Sequence, residues 1–138
     1  MTAHQKPRFL PWLASGLAVL VLGWAVGWFG RYHLIEHEDL YRTCLAEARP
    51  WWCALRQRLI GATFTVQGIY GWVSLGMAIA GWLLEGRIVA PCVLIALAAG
   101  GLGLELYSTS TAALGVLLAL LRLSRLDEVL AKPPNFYT

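Results

Sequence analysis

From Leu10 to Gly30 the chain runs for 21 residues without a charge. As an α-helix rising about 1.5 Å per residue, such a stretch measures roughly 31 Å, the depth of one bilayer hydrocarbon core. Two more apolar blocks follow, Leu59 to Leu84 and the segment between Arg87 and Arg122. The composition agrees: of 138 residues, 58% are hydrophobic and 14% charged. Ordinary soluble domains are about 25% charged, so this chain has too few charges to clothe a water-facing surface. The reading is an integral membrane protein of one domain, 1–138, with no room for a nucleotide-binding fold.

A net charge of +3 does not change that reading. Lys6, Arg8, Arg31, Arg56, Arg58, Arg87, Arg122 and Arg125 fall at the edges of the apolar blocks, as headgroup markers do. No basic run interleaves with aromatics, so nucleic acid is not an expected partner. Lys6 and Arg8 would also suit the basic region of a signal peptide. The apolar stretch behind them is too long for one, and Trp24 and Trp28 stand where small residues would precede cleavage. The segment is read as a retained helix.

Four spans are expected, over about 10–30, 59–84, 88–106 and 109–122, forming an all-α four-helix transmembrane bundle. A single helix between Arg87 and Arg122 would be roughly 51 Å long, so a turn is placed at Tyr107-Ser108-Thr109. Residues 31–58 then form an extracytoplasmic loop between the first two spans, and 123–138 a cytoplasmic tail. Counting cations barely orients the bundle, because six fall on the side of the termini and five on the other. The cysteines orient it better. Cys44 and Cys53 flank Pro50 at a spacing that permits a disulfide, which would put the loop in an oxidising compartment and both termini in the cytoplasm of a bacterial-type inner membrane. Closing so short a loop stabilises by about 2–3 kcal/mol. Cys92 reads as a small packing residue.

Helices in lipid associate by close backbone approach, which small residues permit. Gly16, Gly23, Gly27 and Gly30 share one stripe of the first helix. Comparable faces occur at Gly61, Thr65 and Gly68, at Ser74, Ala78 and Gly81, at Ala96 and Gly100, and at Thr111, Gly115 and Ala119. Some of these faces would hold the bundle together, and a surplus face would bind another membrane subunit or a second copy. Trp12 and Trp82 are placed near one interface and Trp28, Phe29, Trp51 and Trp52 near the other. Trp24 and Trp72 lie deeper.

Three sets of residues carry candidate chemistry. His33 and His37, four apart with Glu36 beside them, would share a face if helical and could ligate a metal, although the shell is incomplete without Glu38, Asp39 or a second subunit. An amphipathic connector resting Leu34, Ile35, Leu40, Tyr41 and Leu45 on the membrane explains the same segment. Gln67 and Tyr70 in the second span, with Glu105 and Tyr107 near the outer turn, could receive an ion, headgroup or lipophilic cation. Each of them also has a structural reading, Gln67 bonding a neighbouring helix and Glu105 snorkelling to water.

Comparison with known four-helix families transfers no function. Small multidrug transporters carry an acid in the first helix, where this chain has none. Quinone-coupled disulfide oxidases carry a Cys-x-x-Cys that Cys53-Ala54-Leu55-Arg56-Gln57-Arg58 only echoes. Three functions are ordered accordingly. First is a small accessory, scaffold or assembly subunit of a larger inner-membrane complex. Second is a self-assembling ion or lipophilic-cation carrier using Glu105 and Gln67. Last is a redox or metal-dependent membrane enzyme using the His or Cys pair. The non-enzymatic reading leads, and no cofactor is expected.

Overall fold

The computed structural model describes residues 9–45, 50–64, 68–106 and 108–126, and all regular structure in them is helical. In chain order these are α1 (Phe9–Phe29), a π-helical turn over Gly30–Ile35, α2 (Glu38–Leu45), α3 (Trp51–Phe64), α4 (Ile69–Leu83), a short 3-10 turn over Gly86–Ile88, α5 (Val89–Glu105) and α6 (Thr109–Ser124).

Helix α5 is the axis. It is apolar throughout, and nine of its residues, from Val89 to Gly103, are buried. Helices α1, α4 and α6 pack around it, while α2 and α3 stand at one end with few contacts to the rest. The close approaches set the directions. Gly16 lies against Leu97, and Gly27 against Leu102 and Glu105, so α1 and α5 run parallel. Gly81 meets Val93 and Gly103 meets Gly71, so α4 runs antiparallel to α5. Gly71 meets Thr111 and Gly115 meets Ser74 and Leu75, so α6 runs parallel to α4. The start of α1 and the end of α6 therefore share one end of the bundle, hereafter the terminal end. The other is the cap end, which α2 and α3 overhang.

Small residues make these approaches possible. A Cβ on Gly23 would lie 2.5 Å from the carbonyl oxygen of Ala98, and one on Gly101 would lie 2.5 Å from that of Leu20. Backbone meets backbone there. Between α4, α5 and α6 the same role falls to Ser74, Ala78, Ala96, Ala112 and Ala119, each fully buried. Ser74 Oγ donates to the carbonyl of Ala96 at 2.8 Å, so the one hydroxyl at the centre is satisfied within the core.

Two segments differ from expectation. Residues 59–84 do not form one helix: α3 ends at Phe64, and Gly68, preceding α4, has φ +77°, a left-handed conformation that glycine adopts without Cβ strain. A Cβ there would also collide with Ser108. Residues 31–58, expected as a connecting loop, contain the π-helical turn, α2 and most of α3. The turn near residues 107–109 does separate two helices, α5 ending at Glu105 and α6 beginning at Thr109. Ser108 closes it by donating both its backbone N–H and its Oγ to the carbonyl of Gly103.

Among the described residues, two helices are by length and composition suited to crossing a membrane: Leu10–Ile35, which counts α1 with its π-helical extension, and Gly86–Glu105, which counts α5 with the turn before it. Helices α4 and α6 are apolar but shorter, with 15 and 16 residues. Large apolar side chains face outward on every helix of the bundle, among them Leu22, Trp72, Ile79, Ile95, Leu114 and Leu117.

Candidate functional site

At the cap end α1 overruns α5. Its continuation into a π-helical turn carries Arg31 back over the C-terminus of α5, where helix carbonyls lack intrahelical donors. Arg31 donates to the backbone carbonyl of Glu105 at 3.2 Å, lies 3.8 Å from the Glu105 carboxylate, and bonds Glu36 at 2.8 Å. The Trp24 indole N–H donates to Glu105 Oε1 at 2.7 Å. Glu105 thus has an indole donor on one oxygen and a guanidinium beside the other. The acid joins α1 to α5.

A second clamp lies above it. Arg56 of α3 is only 8% exposed, and it donates to the carbonyls of Leu34 and Ile35 at 2.7 and 2.8 Å. These two carbonyls close the π-helical turn, so a cation on a neighbouring helix caps them and favours the negative end of their dipoles. The Tyr41 ring lies 5.8 Å from the same guanidinium. Three residues earlier on α3, Cys53 is bonded to Cys44 of α2. The disulfide therefore ties α3, which carries Arg56, to α2, which carries Tyr41. Its presence is compatible with an oxidising compartment.

The terminal end has its own latch. Trp82 of α4 donates to the carbonyl of Leu118 in α6 at 3.0 Å. Arg122 of α6 reaches back to the carbonyls of Gly81 at 2.8 Å and Leu84 at 3.3 Å. The Trp82 ring carries two guanidinium groups, Arg122 at 5.3 Å and Arg125 at 5.6 Å from its centroid.

The candidate residues separate accordingly. Glu105 is held in the Trp24–Arg31 cluster. Tyr70 is half-buried in the first turn of α4, at the same end of the bundle, and makes no hydrogen bond to Glu105. Gln67 and Tyr107 lie outside the described residues. His33 belongs to the π-helical turn and His37 follows the bend at Glu36, so the two do not share a helical face. His33 stacks on Phe29 instead, with centroids 4.4 Å apart. Among the described residues no group of three or more His, Cys, Asp or Glu side chains could hold a metal. Gly16, Gly23 and Gly27 make the α1 contacts already described, but Gly30 has nothing within 4 Å of its Cβ position. The chain has passed into the π-helical turn at that point, and the α-helical stripe no longer continues.

Several contacts had no signal in the pattern of residues. Arg31, Arg56 and Arg122 look like interface markers in sequence, yet each caps carbonyls at the end of another helical segment. That role depends on which helix ends meet, which spacing along the chain does not reveal. Trp24, placed deep in the first helix with no assigned partner, is the donor to Glu105.

These features define a small all-helical bundle whose polar side chains tie helix ends together, with a disulfide-braced helical cap at one end. No family model, curated protein or solved structure matches the chain.

Proposed function

We propose that the chain is a four-span membrane protein acting by contact, as a small accessory, scaffold or assembly subunit of a larger complex in a bacterial-type inner membrane. Helices α1, α4, α5 and α6 are the spans. The termini lie in the cytoplasm, and α2 and α3 cap the outer end. Outward-facing apolar side chains around the whole bundle support a lipid environment, because soluble monomers seldom expose contiguous apolar patches beyond a few hundred Å². Helices of 15 or 16 residues suit a locally thinned bilayer, with the arginines at their ends snorkelling to the interface.

The observation that carries the functional reading is where the polar groups go. Among the described residues, no buried side-chain nitrogen or oxygen lacks a hydrogen-bond partner. Glu105, the acid a carrier would need, is engaged by Trp24 and Arg31 and joins two helices. A transported cation would have to displace both. What the bundle leaves open is surface, more of it on α1 than on any other helix: that helix docks through one glycine stripe, and only 11% of its apolar span is buried. The small-residue faces of α4, α5 and α6 are consumed within the chain, so a partner subunit would meet the larger side chains of α1.

A photocrosslinking amino acid at Leu22 or Val26, both more than half exposed, tests this at native expression level. Crosslinking to one defined larger membrane protein, with copurification in mild detergent, is the expected result. A lone monomer that crosslinks only to lipid would contradict it.

A further inference from the structure

The two ends of the bundle differ in how their charges are matched. At the cap end, Arg31, Arg42, Arg56 and Arg58 are accompanied by Glu36, Glu38, Asp39 and Glu105. Arg31 and Arg42 are in ion pairs, and Arg56 is buried on helix carbonyls. At the terminal end, Arg87, Arg122 and Arg125 are accompanied among the described residues by Glu85 alone, and no ion pair joins it to any of them. The excess positive charge of the described bundle is therefore all at one end.

That charge is organised around Trp82. Its ring is oriented by the hydrogen bond to Leu118 and draws two guanidinium groups to within 6 Å of its centroid. Two guanidinium groups against one indole concentrate positive charge at this end, and an anion there offsets it. Arg122 directs two of its donors at α4. Arg125 is exposed, and its guanidinium has no carboxylate or carbonyl acceptor among the described residues. A guanidinium offers five N–H donors in a planar fork that matches phosphate oxygens. The indole belongs at the depth where headgroups begin, because its ring is apolar and its N–H polar.

We infer that the terminal end is a binding surface for an anionic phospholipid headgroup. Its phosphate is held by Arg125 and the remaining donors of Arg122 beside Trp82, and Arg87 adds to the field that attracts it. The inference rests on the membrane reading above. It gives the basic residues a ligand where composition alone made them boundary markers.

The test titrates the purified full chain in mild detergent with phosphatidylglycerol and phosphatidylcholine, retained lipid being counted by native mass spectrometry. Phosphatidylglycerol should be retained more tightly than phosphatidylcholine. Arg87→Gln and Arg125→Gln should each weaken its retention by about fivefold, the effect of one basic side chain near an anionic surface. Arg122 is left intact because it also latches α4 to α6. Arg58→Gln, at the cap end, should leave the preference unchanged, and millimolar inorganic phosphate should not displace the lipid. Equal retention of the two lipids, an equal loss in Arg58→Gln, or displacement by phosphate would each overturn the inference. Flotation of the chain with phosphatidylcholine vesicles separates the two levels. A chain that floats but shows no preference defeats only the headgroup site, whereas one that does not float defeats the membrane reading beneath it.

Discussion

Replacing Gly23 by alanine probes the seam on which α1 depends. The added Cβ would sit 2.5 Å from the carbonyl oxygen of Ala98 and 3.2 Å from its carbonyl carbon, both backbone atoms that cannot rotate away. Restoring an ordinary contact distance requires α1 to withdraw by roughly 0.8 Å, a gap that forfeits about a quarter to a half of each dispersion contact along the seam. Overpacking of this kind costs about 1–3 kcal/mol. Alanine recovers about 0.5–1 kcal/mol of helix propensity, which leaves a net loss of up to about 2.5 kcal/mol. Gly76→Ala on α4 is the matched control. Nothing lies within 4 Å of its Cβ position, so only the propensity gain remains. Unfolding in mixed micelles, followed by far-ultraviolet circular dichroism as the dodecyl sulfate fraction rises, should place the two variants on opposite sides of the wild type. Gly101→Ala should resemble Gly23→Ala, because its Cβ would meet the backbone of Leu20 and Trp24. The two together should cost less than their sum, since one withdrawal of α1 relieves both clashes. Equal stability of Gly23→Ala and Gly76→Ala would refute the close approach of α1 and α5.

Further outcomes follow from the clamps at the cap end. Arg56→Ala removes a charged donor from two part-buried carbonyls and should cost about 1.5–3 kcal/mol, with faster amide exchange confined to residues 31–36. Cys44→Ser with Cys53→Ser should cost about 2–3 kcal/mol, read as loss of protection in α2 and α3 while α4, α5 and α6 keep theirs, because the cap touches the bundle at few points. Glu105→Gln should be tolerated better than Glu105→Ala: the amide oxygen still accepts from Trp24, whereas alanine leaves the indole and Arg31 without that partner, at about 1–3 kcal/mol. Near-ultraviolet circular dichroism of the two variants, compared at matched temperature, checks the order.

How much of this was legible in the residues depends on the length scale of each feature. The apolar run from Leu10 to Gly30 marks α1 closely, because composition alone separates it from its charged flanks. The turn between α5 and α6 was legible from an upper bound on length, and the bond between Cys44 and Cys53 from proximity along the chain. The start of α4 is marked by Gly68, whose left-handed backbone looks in sequence like another small packing position. Gly30 shows the converse: it keeps the spacing of a contact stripe that ends where the π-helical turn begins. The capping roles of Arg31, Arg56 and Arg122 could not be assigned without knowing which helix ends meet, since each caps a backbone carbonyl on another segment. Glu105 was visible as an acid in an apolar segment and Trp24 only as a ring deep in the first helix, but their pairing depends on the parallel packing of α1 and α5. For the same reason the glycine stripes could not be divided in advance between internal and external use.

The central claim is that the bundle crosses a bilayer four times with its disulfide-braced cap outside. Sided labelling in intact cells tests it most directly, using single reactive sites placed before α1, on α2 at the exposed Arg42, and after α6. The account predicts that a membrane-impermeant reagent reaches only the α2 site, and that the two end sites react only once the inner face is opened. End sites on opposite faces, or an α2 site that reacts only from within, would contradict it.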